Sequence, residues 1–151
     1  MLAAADAWVG TLSEQDTDFG RLLLDVTGVF QAHEAVKAEL VSRLLGSKDP
    51  RVRAYGCRAV GGWADRLSEA LRLLEARLRD EHPRVRMEAI VACSELSDVA
   101  SAAAVVRVVD LPRDRFIDYA LVQSLRALQP HWQPALAAGR FPAGMQPPYA
   151  A

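Results

Sequence analysis

The stretch Asp49–Arg53 reads Asp-Pro-Arg-Val-Arg, and it returns 33 residues later as His-Pro-Arg-Val-Arg at His82–Arg86. The likeness continues downstream, where small or apolar residues match in the two copies: Gly56, Ala59, Val60 and Trp63 correspond to Ala89, Ala92, Cys93 and Leu96. A looser third copy follows at an offset of 31 residues, which sets Phe116 on Val85. A period of this length predicts an array of repeated structural units.

Each copy carries the spacing and the start signal of a helix. Apolar and small residues follow a three-four rhythm after each proline, which places them on one helix face. Proline is tolerated in the first helical turn, and Asp49 is a natural N-cap before Pro50. A second helix is predicted after each first one, capped by Asp65 in one copy and by Asp98 in the next. Short links between the two helices favour antiparallel hairpins.

A single helical hairpin of this length cannot bury its apolar face, so successive hairpins must stack. The sequence therefore predicts an all-α fold, a short right-handed α-solenoid of about three to four antiparallel helix pairs. The predicted organisation is an N-terminal helix or degenerate repeat over residues 1–20, the repeat array over 21–140, and a proline-rich tail or linker over 141–151.

The last long helix of the array is predicted to leave an open end. Apolar side chains on it have no polar cap after them in the sequence: Phe116, Leu121, Leu125 and Leu128. Because solenoid ends normally carry a polar capping face, this pattern predicts self-association through the uncapped end.

Composition argues against several functional classes. The formal net charge of −1 gives no basic footprint for nucleic acid. No apolar run approaches the about 18 residues of a membrane span, so no membrane insertion is predicted. The first residues lack the basic and apolar regions of a signal peptide, and the compartment stays open.

No residue pattern predicts an active site, a metal site or a cofactor. His33, His82 and His131 lie in different repeats without metal-ligand spacing, and His82 is expected to cap the helix at Pro83. Cys57 and Cys93 are expected to be buried structural thiols. Asp114 and Asp118 imitate an acid/base pair, but helix capping and ion pairing explain them better.

Two other residue sets receive structural or binding roles. The arginines after the prolines could bind phosphate, but a structural ladder with the carboxylates of neighbouring turns is favoured. The arginines are Arg51, Arg53, Arg84 and Arg86, and the available carboxylates are Asp49, Asp80, Glu81 and Glu88. The predicted members of the ladder are Asp49, Arg53, Arg86 and Glu88. The second helices are expected to build the free surface of the solenoid. The candidate partner surface consists of Glu69, Arg72, Glu75, Arg79 and Arg107, with an apolar strip in the later copy at Ser101, Ala104, Val105 and Val108.

The Pro-x-Val-Arg opening, present twice in phase and preceded by Asp49 in the first copy, resembles the Asp-Pro-x-Val-Arg opening of HEAT repeats, a family of armadillo-like α-solenoids. The resemblance implies a non-catalytic scaffold that binds a protein or a neighbouring domain. Two enzyme classes also use HEAT-like helices, DNA glycosylases and bilin lyases. They would need a basic groove with a catalytic Asp, or an acidic pair in contact with a ligand, and the sequence offers neither.

Several segments resemble one particular setting of such repeats. They include Gln31–Val36, Trp63–Arg66, His82–Ala89, Asp114–Leu121 and Leu128–Trp132. Similar segments occur in large exported proteins of planctomycetes, labelled membrane-bound dehydrogenases, which join a β-propeller, a HEAT-like array and a c-type haem domain. This resemblance implies an alternative role as a helical spacer in an exported redox protein. The chain has no CxxCH motif, so neither haem ligation nor dehydrogenase activity is assigned to any residue.

Overall fold

The computed structural model describes residues 1–13, 15 and 17–141, and over these residues it contains nine α-helices, one short 3-10 helix and no strand. The all-α prediction is confirmed. The α-helices are α1 Leu2–Thr11, α2 Phe19–Ala32, α3 Ala38–Leu45, α4 Pro50–Gly62, α5 Ala70–Arg77, α6 Pro83–Ser94, α7 Val99–Val106, α8 Arg115–Ala127 and α9 Gln129–Ala137, and the 3-10 helix is Arg107–Asp110. Residues 142–151 of the predicted tail lie outside this description.

The helices form four consecutive pairs, α2/α3, α4/α5, α6/α7 and α8/α9. The first helices stack on one another, with α4 against α6 and α6 against α8, and the second helices form a parallel layer in which α7 contacts α5 and α9. The helix α1 precedes the first pair and packs on α2. Arg43 of α3 holds the end of α1 by donating to the carbonyl oxygens of Val9 and Leu12, at 2.9 and 2.8 Å.

The start signals place the helices largely as predicted. Asp49 accepts a hydrogen bond from the Arg51 main-chain N–H before α4, and His82 accepts one from the Arg84 N–H before α6. Asp98 caps α7. The predicted cap at Asp65 is wrong, because turns occupy the residues after α4 and α5 starts only at Ala70.

The third copy of the repeat has a register of 32 residues, not 31. The N-caps of α6 and α8 are His82 and Asp114, and this offset sets the buried Ile117 on the buried Val85. Phe116, which the looser sequence match set on Val85, is 56% exposed. One residue more between the two helix starts than the sequence match assumed therefore moves an aromatic side chain from the predicted core to the surface.

Small residues let neighbouring helices approach closely. A Cβ atom at Gly56 would lie 3.0 Å from Leu44 and Leu45 side-chain atoms of α3. A Cβ atom at Gly61 would lie 3.1 Å from the Ala92 Cα of α6. The core continues through the whole stack, from Leu23 to Leu121, and Trp63 is among its largest buried side chains.

The predicted open end is only partly correct. Leu121 and Leu128 are buried, because they face the inner side of the last pair. Of the four predicted residues only Phe116 is exposed, and the other exposed large hydrophobic residues of α8 are Tyr119 and Val122. Among the described residues, no helix is long and apolar enough to cross a membrane.

Candidate functional site

A groove of about 800 Å³ lies between α5 and the segment formed by α7 and the 3-10 helix. It contains four of the five residues of the predicted partner surface, Arg72, Glu75, Arg79 and Arg107. The fifth, Glu69, lies beside it and accepts a hydrogen bond from Arg72 Nε at 3.1 Å. The remaining lining residues are Ala76, Leu78, Ala104, Val108, Asp110 and Leu111.

The sequence of α5 explains why its charged residues reach this groove. Ala70 and Leu74 are buried on the inner face, and Leu78 just after the helix is buried as well. Residues 72, 75, 76 and 79 occupy the opposite face at helical spacing, so their side chains point away from the core.

The prediction of an exposed apolar strip on α7 and the residues after it is wrong. Ser101, Ala104, Val105 and Val108 are all buried, and only Arg107 is exposed. The helix reads Val-Ala-Ser-Ala-Ala-Ala-Val-Val and packs against α5, α6, α8 and α9. An apolar helix that packs against several neighbours buries most of its surface, and residues 101–105 of α7 are all buried. Ala104 and Val108 therefore form the floor of the groove.

The charges of the groove are largely free to meet a ligand. Over the described part of the chain, Arg79, Arg107 and Glu75 make no ion pair or side-chain hydrogen bond. Arg72 is tied to Glu69. The groove thus combines an apolar floor with two arginines that are not ion-paired to a described residue, an arrangement that suits a carboxylate-bearing ligand.

A second concavity, of about 440 Å³, lies on the outer side between α4 and α6. Its principal charged groups are already paired, because Arg58 Nε donates to Glu88 Oε2 at 3.3 Å across it. This hydrogen bond to Glu88 also raises the pKa of Arg58. The outer concavity is therefore a structural contact between repeats.

The predicted ladder residues take three different roles. Arg53 forms a double hydrogen bond with Asp80, with Nε–Oδ2 at 2.9 Å and Nη2–Oδ1 at 2.8 Å. Arg86 donates only to main-chain carbonyl oxygens, those of Asp80, Glu81 and Pro112. Glu88 binds Arg58 of the preceding repeat, and Asp49 caps its own helix and makes no ion pair with a described residue.

Asp80 lies in the loop between α5 and α6, the first junction between repeats. It is one of the carboxylates available to the arginines, but it is not among the predicted ladder members. Its side chain also accepts from Arg77 Nη1 at 3.2 Å and from the His82 main-chain N–H at 3.0 Å. Burial by itself would raise the pKa of Asp80, but the hydrogen bonds from Arg53 and His82 and the charges of Arg53 and Arg77 outweigh it and lower the pKa. The only signal in the sequence is an acidic residue two positions before a helix N-cap.

The two cysteines are free and buried, as expected. Burial raises the pKa of both Cys57 and Cys93 to about 12, so both are neutral thiols at physiological pH. No group of three or more potential metal ligands occurs in the described residues. Asp114 caps α8 by accepting from the Phe116 and Ile117 N–H groups, and Asp118 pairs with Arg113 at 3.3 Å.

Comparison with known proteins gives one result. A family model described as HEAT repeats matches residues 38–126, which span the second helix of the first pair through α8. No curated protein and no solved structure matches the chain.

Proposed function

Because the chain belongs to the HEAT-repeat family, we propose that it is a non-catalytic scaffold that binds a protein segment in the groove between α5 and α7. HEAT repeats generally act as protein-interaction scaffolds. The observation that carries the proposal is the pair Arg79 and Arg107, which line an apolar-floored groove and form no ion pair with any described residue.

The chemistry of the groove defines the partner. Ala104 and Val108 offer small apolar contacts, and the arginines on either side offer planar, bidentate donors for carboxylates. The partner is a segment with an apolar side chain flanked by acidic residues, supplied by another protein or by a neighbouring domain.

The test measures fluorescence polarisation of a labelled peptide in which a leucine is flanked by glutamates, with a peptide carrying lysines in place of the glutamates as comparison. The Arg79→Glu/Arg107→Glu variant should bind the acidic peptide at least about tenfold more weakly, since two attractive charges become repulsive. The matched control is Arg21→Glu/Arg51→Glu, which makes the same charge change at exposed arginines outside the groove.

Equal weakening in both double variants would assign the binding to net charge and would contradict the groove. Circular dichroism should show both variants folded, because all four arginines are exposed. Unfolding of the Arg79→Glu/Arg107→Glu variant would contradict the placement of these residues on a free surface.

A second candidate function is the helical spacer of an exported redox protein. It is supported by the segments that resemble planctomycete multidomain proteins, such as Trp63–Arg66 and Leu128–Trp132. An immunoblot of fractionated source cells with a parallel haem stain tests it. A large, exported, haem-positive band supports the spacer, and a haem-negative band near 16.5 kDa contradicts it.

A further inference from the structure

No helix of the described residues covers the side of α8 that faces away from α6, although the equivalent sides of α4 and α6 are covered. Cys57 of α4 is fully buried, with its Sγ 4.0 Å from the Val85 carbonyl oxygen of α6. The equivalent residue of α6 is Ile90, which is also fully buried. In α8 the equivalent residue is Val122, which is 45% exposed.

The chemistry of this side also changes at α8. Arg53 of α4 and Arg86 of α6 each bind the loop that leads into the next repeat. The residue of α8 at the equivalent position is Asp118. Asp118 makes one ion pair, a partly exposed one with Arg113. Such exposed pairs contribute little stability. The open side of α8 therefore lacks the arginine that attaches a following repeat.

The exposed row on α8 is self-complementary in charge. Asp118, Val122 and Arg126 lie four residues apart, so they form one line along the helix with about 6 Å between neighbours. Arg126 makes no ion pair with any described residue. An acidic and a basic residue thus stand at equal distances on either side of an exposed valine.

We propose that two copies of this chain associate tail to tail through antiparallel α8 helices, with the two-fold axis at Val122. In this arrangement Val122 of each copy packs on Val122 of the other. Asp118 of one copy pairs with Arg126 of its partner, and the pair is repeated by the symmetry. Tyr119, which is 68% exposed in the single chain, is covered beside the axis. The groove between α5 and α7 is built by other helices and stays accessible.

Sedimentation velocity of the full chain over about 1 µM to about 1 mM tests the proposal. The wild type should show a monomer–dimer equilibrium. Asp118→Arg or Arg126→Asp alone should raise the dimer dissociation constant at least about tenfold, because like charges then face each other. The double variant Asp118→Arg/Arg126→Asp should restore the dimer, since the pair is re-formed with the charges exchanged.

Several outcomes would overturn the proposal. A monomer at every concentration would show that the open side does not bind a second copy. Oligomers that grow beyond the dimer would indicate a head-to-tail contact, which does not close. Failure of the double variant to recover, while its circular dichroism matches the wild type, would contradict the antiparallel pairing.

A second measurement does not depend on the charge variants. In the Val122→Cys variant the two introduced thiols, one from each copy, would face each other across the two-fold axis. Oxidation should therefore link the dimer by a disulfide. Ser68→Cys, at an exposed position before α5, is the matched control. Cross-linking of Val122→Cys at least about tenfold faster than of Ser68→Cys supports the axis, and equal rates contradict it.

Discussion

Arg53 and Arg86 occupy equivalent positions in successive repeats, yet they hold the chain in different ways. Arg53 binds the buried carboxylate of Asp80, which also receives Arg77. Arg86 binds three carbonyl oxygens and no carboxylate. Asp80 lies in the loop between α5 and α6, the first junction. The equivalent residue in the second junction, the loop between the 3-10 helix and α8, is Pro112, 32 residues later. A repeat motif therefore specifies the arginine, whereas the following loop decides what it binds.

The two junctions should differ in stability as a result. In the first, charged groups compensate one another in a buried setting, so the loss of one member leaves an unpaired charge. In the second, the loss of the arginine leaves only neutral acceptors. Four predictions follow this contrast from the largest expected effect to the smallest.

The largest effect is expected for Asp80→Ala. The substitution leaves Arg53, already buried, and Arg77 without their carboxylate, and breaking a buried pair in this way costs about 3–5 kcal/mol. Urea denaturation followed by circular dichroism measures the free energy of unfolding. Asp110→Ala, which removes an exposed carboxylate that forms no ion pair with a described residue, is the control. A loss for Asp80→Ala no greater than that of the control would remove Asp80 from the centre of the junction.

Arg53→Met and Arg86→Met compare the two junctions directly. Arg86→Met should cost about 1–3 kcal/mol, because it leaves carbonyl oxygens without donors. Arg53→Met should cost more, because it deprives both a carboxylate and two carbonyl oxygens, those of Ser47 and Lys48, of a partner. The same denaturation measurement ranks the two variants. The reverse order would show that the carboxylate adds nothing to the first junction.

Gly61 and Gly62 test how closely α4 and α6 must approach. Gly61→Ala should destabilise the protein by about 1–3 kcal/mol, since its Cβ would lie 3.1 Å from the Ala92 Cα and backbone would have to move. At Gly62 the nearest atom to a Cβ is Gln31 Nε2 at 4.0 Å, so alanine fits. Gly62→Ala should therefore be neutral or stabilise by up to about 1 kcal/mol. Equal thermal midpoints for the two variants would contradict the close approach.

The smallest effect is expected on acidification. The pKa of Asp80 is lower in the folded chain than its ordinary value of 3.8, so its contribution to stability is complete above that value. The contribution is lost as the pH falls through the folded-state pKa. The wild type should therefore lose more stability than Asp80→Asn on acidification below about pH 4. Parallel pH profiles for the two proteins would show that Asp80 has the same pKa folded and unfolded.

The fold could be predicted from the sequence because several local signals agree. Asp49 with Pro50, and His82 with Pro83, each combine a cap with a first-turn proline, and both start helices in the structure. Four of the five residues predicted as the partner surface line the groove, and three of them, Arg72, Glu75 and Arg79, could be predicted because α5 has buried apolar residues on one face and charges on the other. Such contrast around a helix fixes which side faces the core.

The wrong or missing predictions concern helices without that contrast and contacts that are made by loop residues. The sequence of α7 is apolar throughout, so its pattern cannot show which side faces the core. Phe116 was predicted to lie in the core because an apolar residue at this position also fits an offset of 31 residues, one fewer than the structure shows. Asp80 lies in a loop, and its three donors converge only once α4, α5 and α6 are packed. No spacing along the chain encodes that convergence.

The two buried cysteines allow local opening to be measured separately in each of the two central repeats. Cys57 lies in α4 and Cys93 in α6, and neither thiol is exposed or ionised while its helix stays packed. A thiol reagent can react only after local opening, so the rate of modification at each site reports how often that repeat opens. Peptide mass spectrometry distinguishes the two sites in a single sample. The modification rates of Cys57 and Cys93 in the wild-type chain thus give the opening rate of each of these two repeats under native conditions.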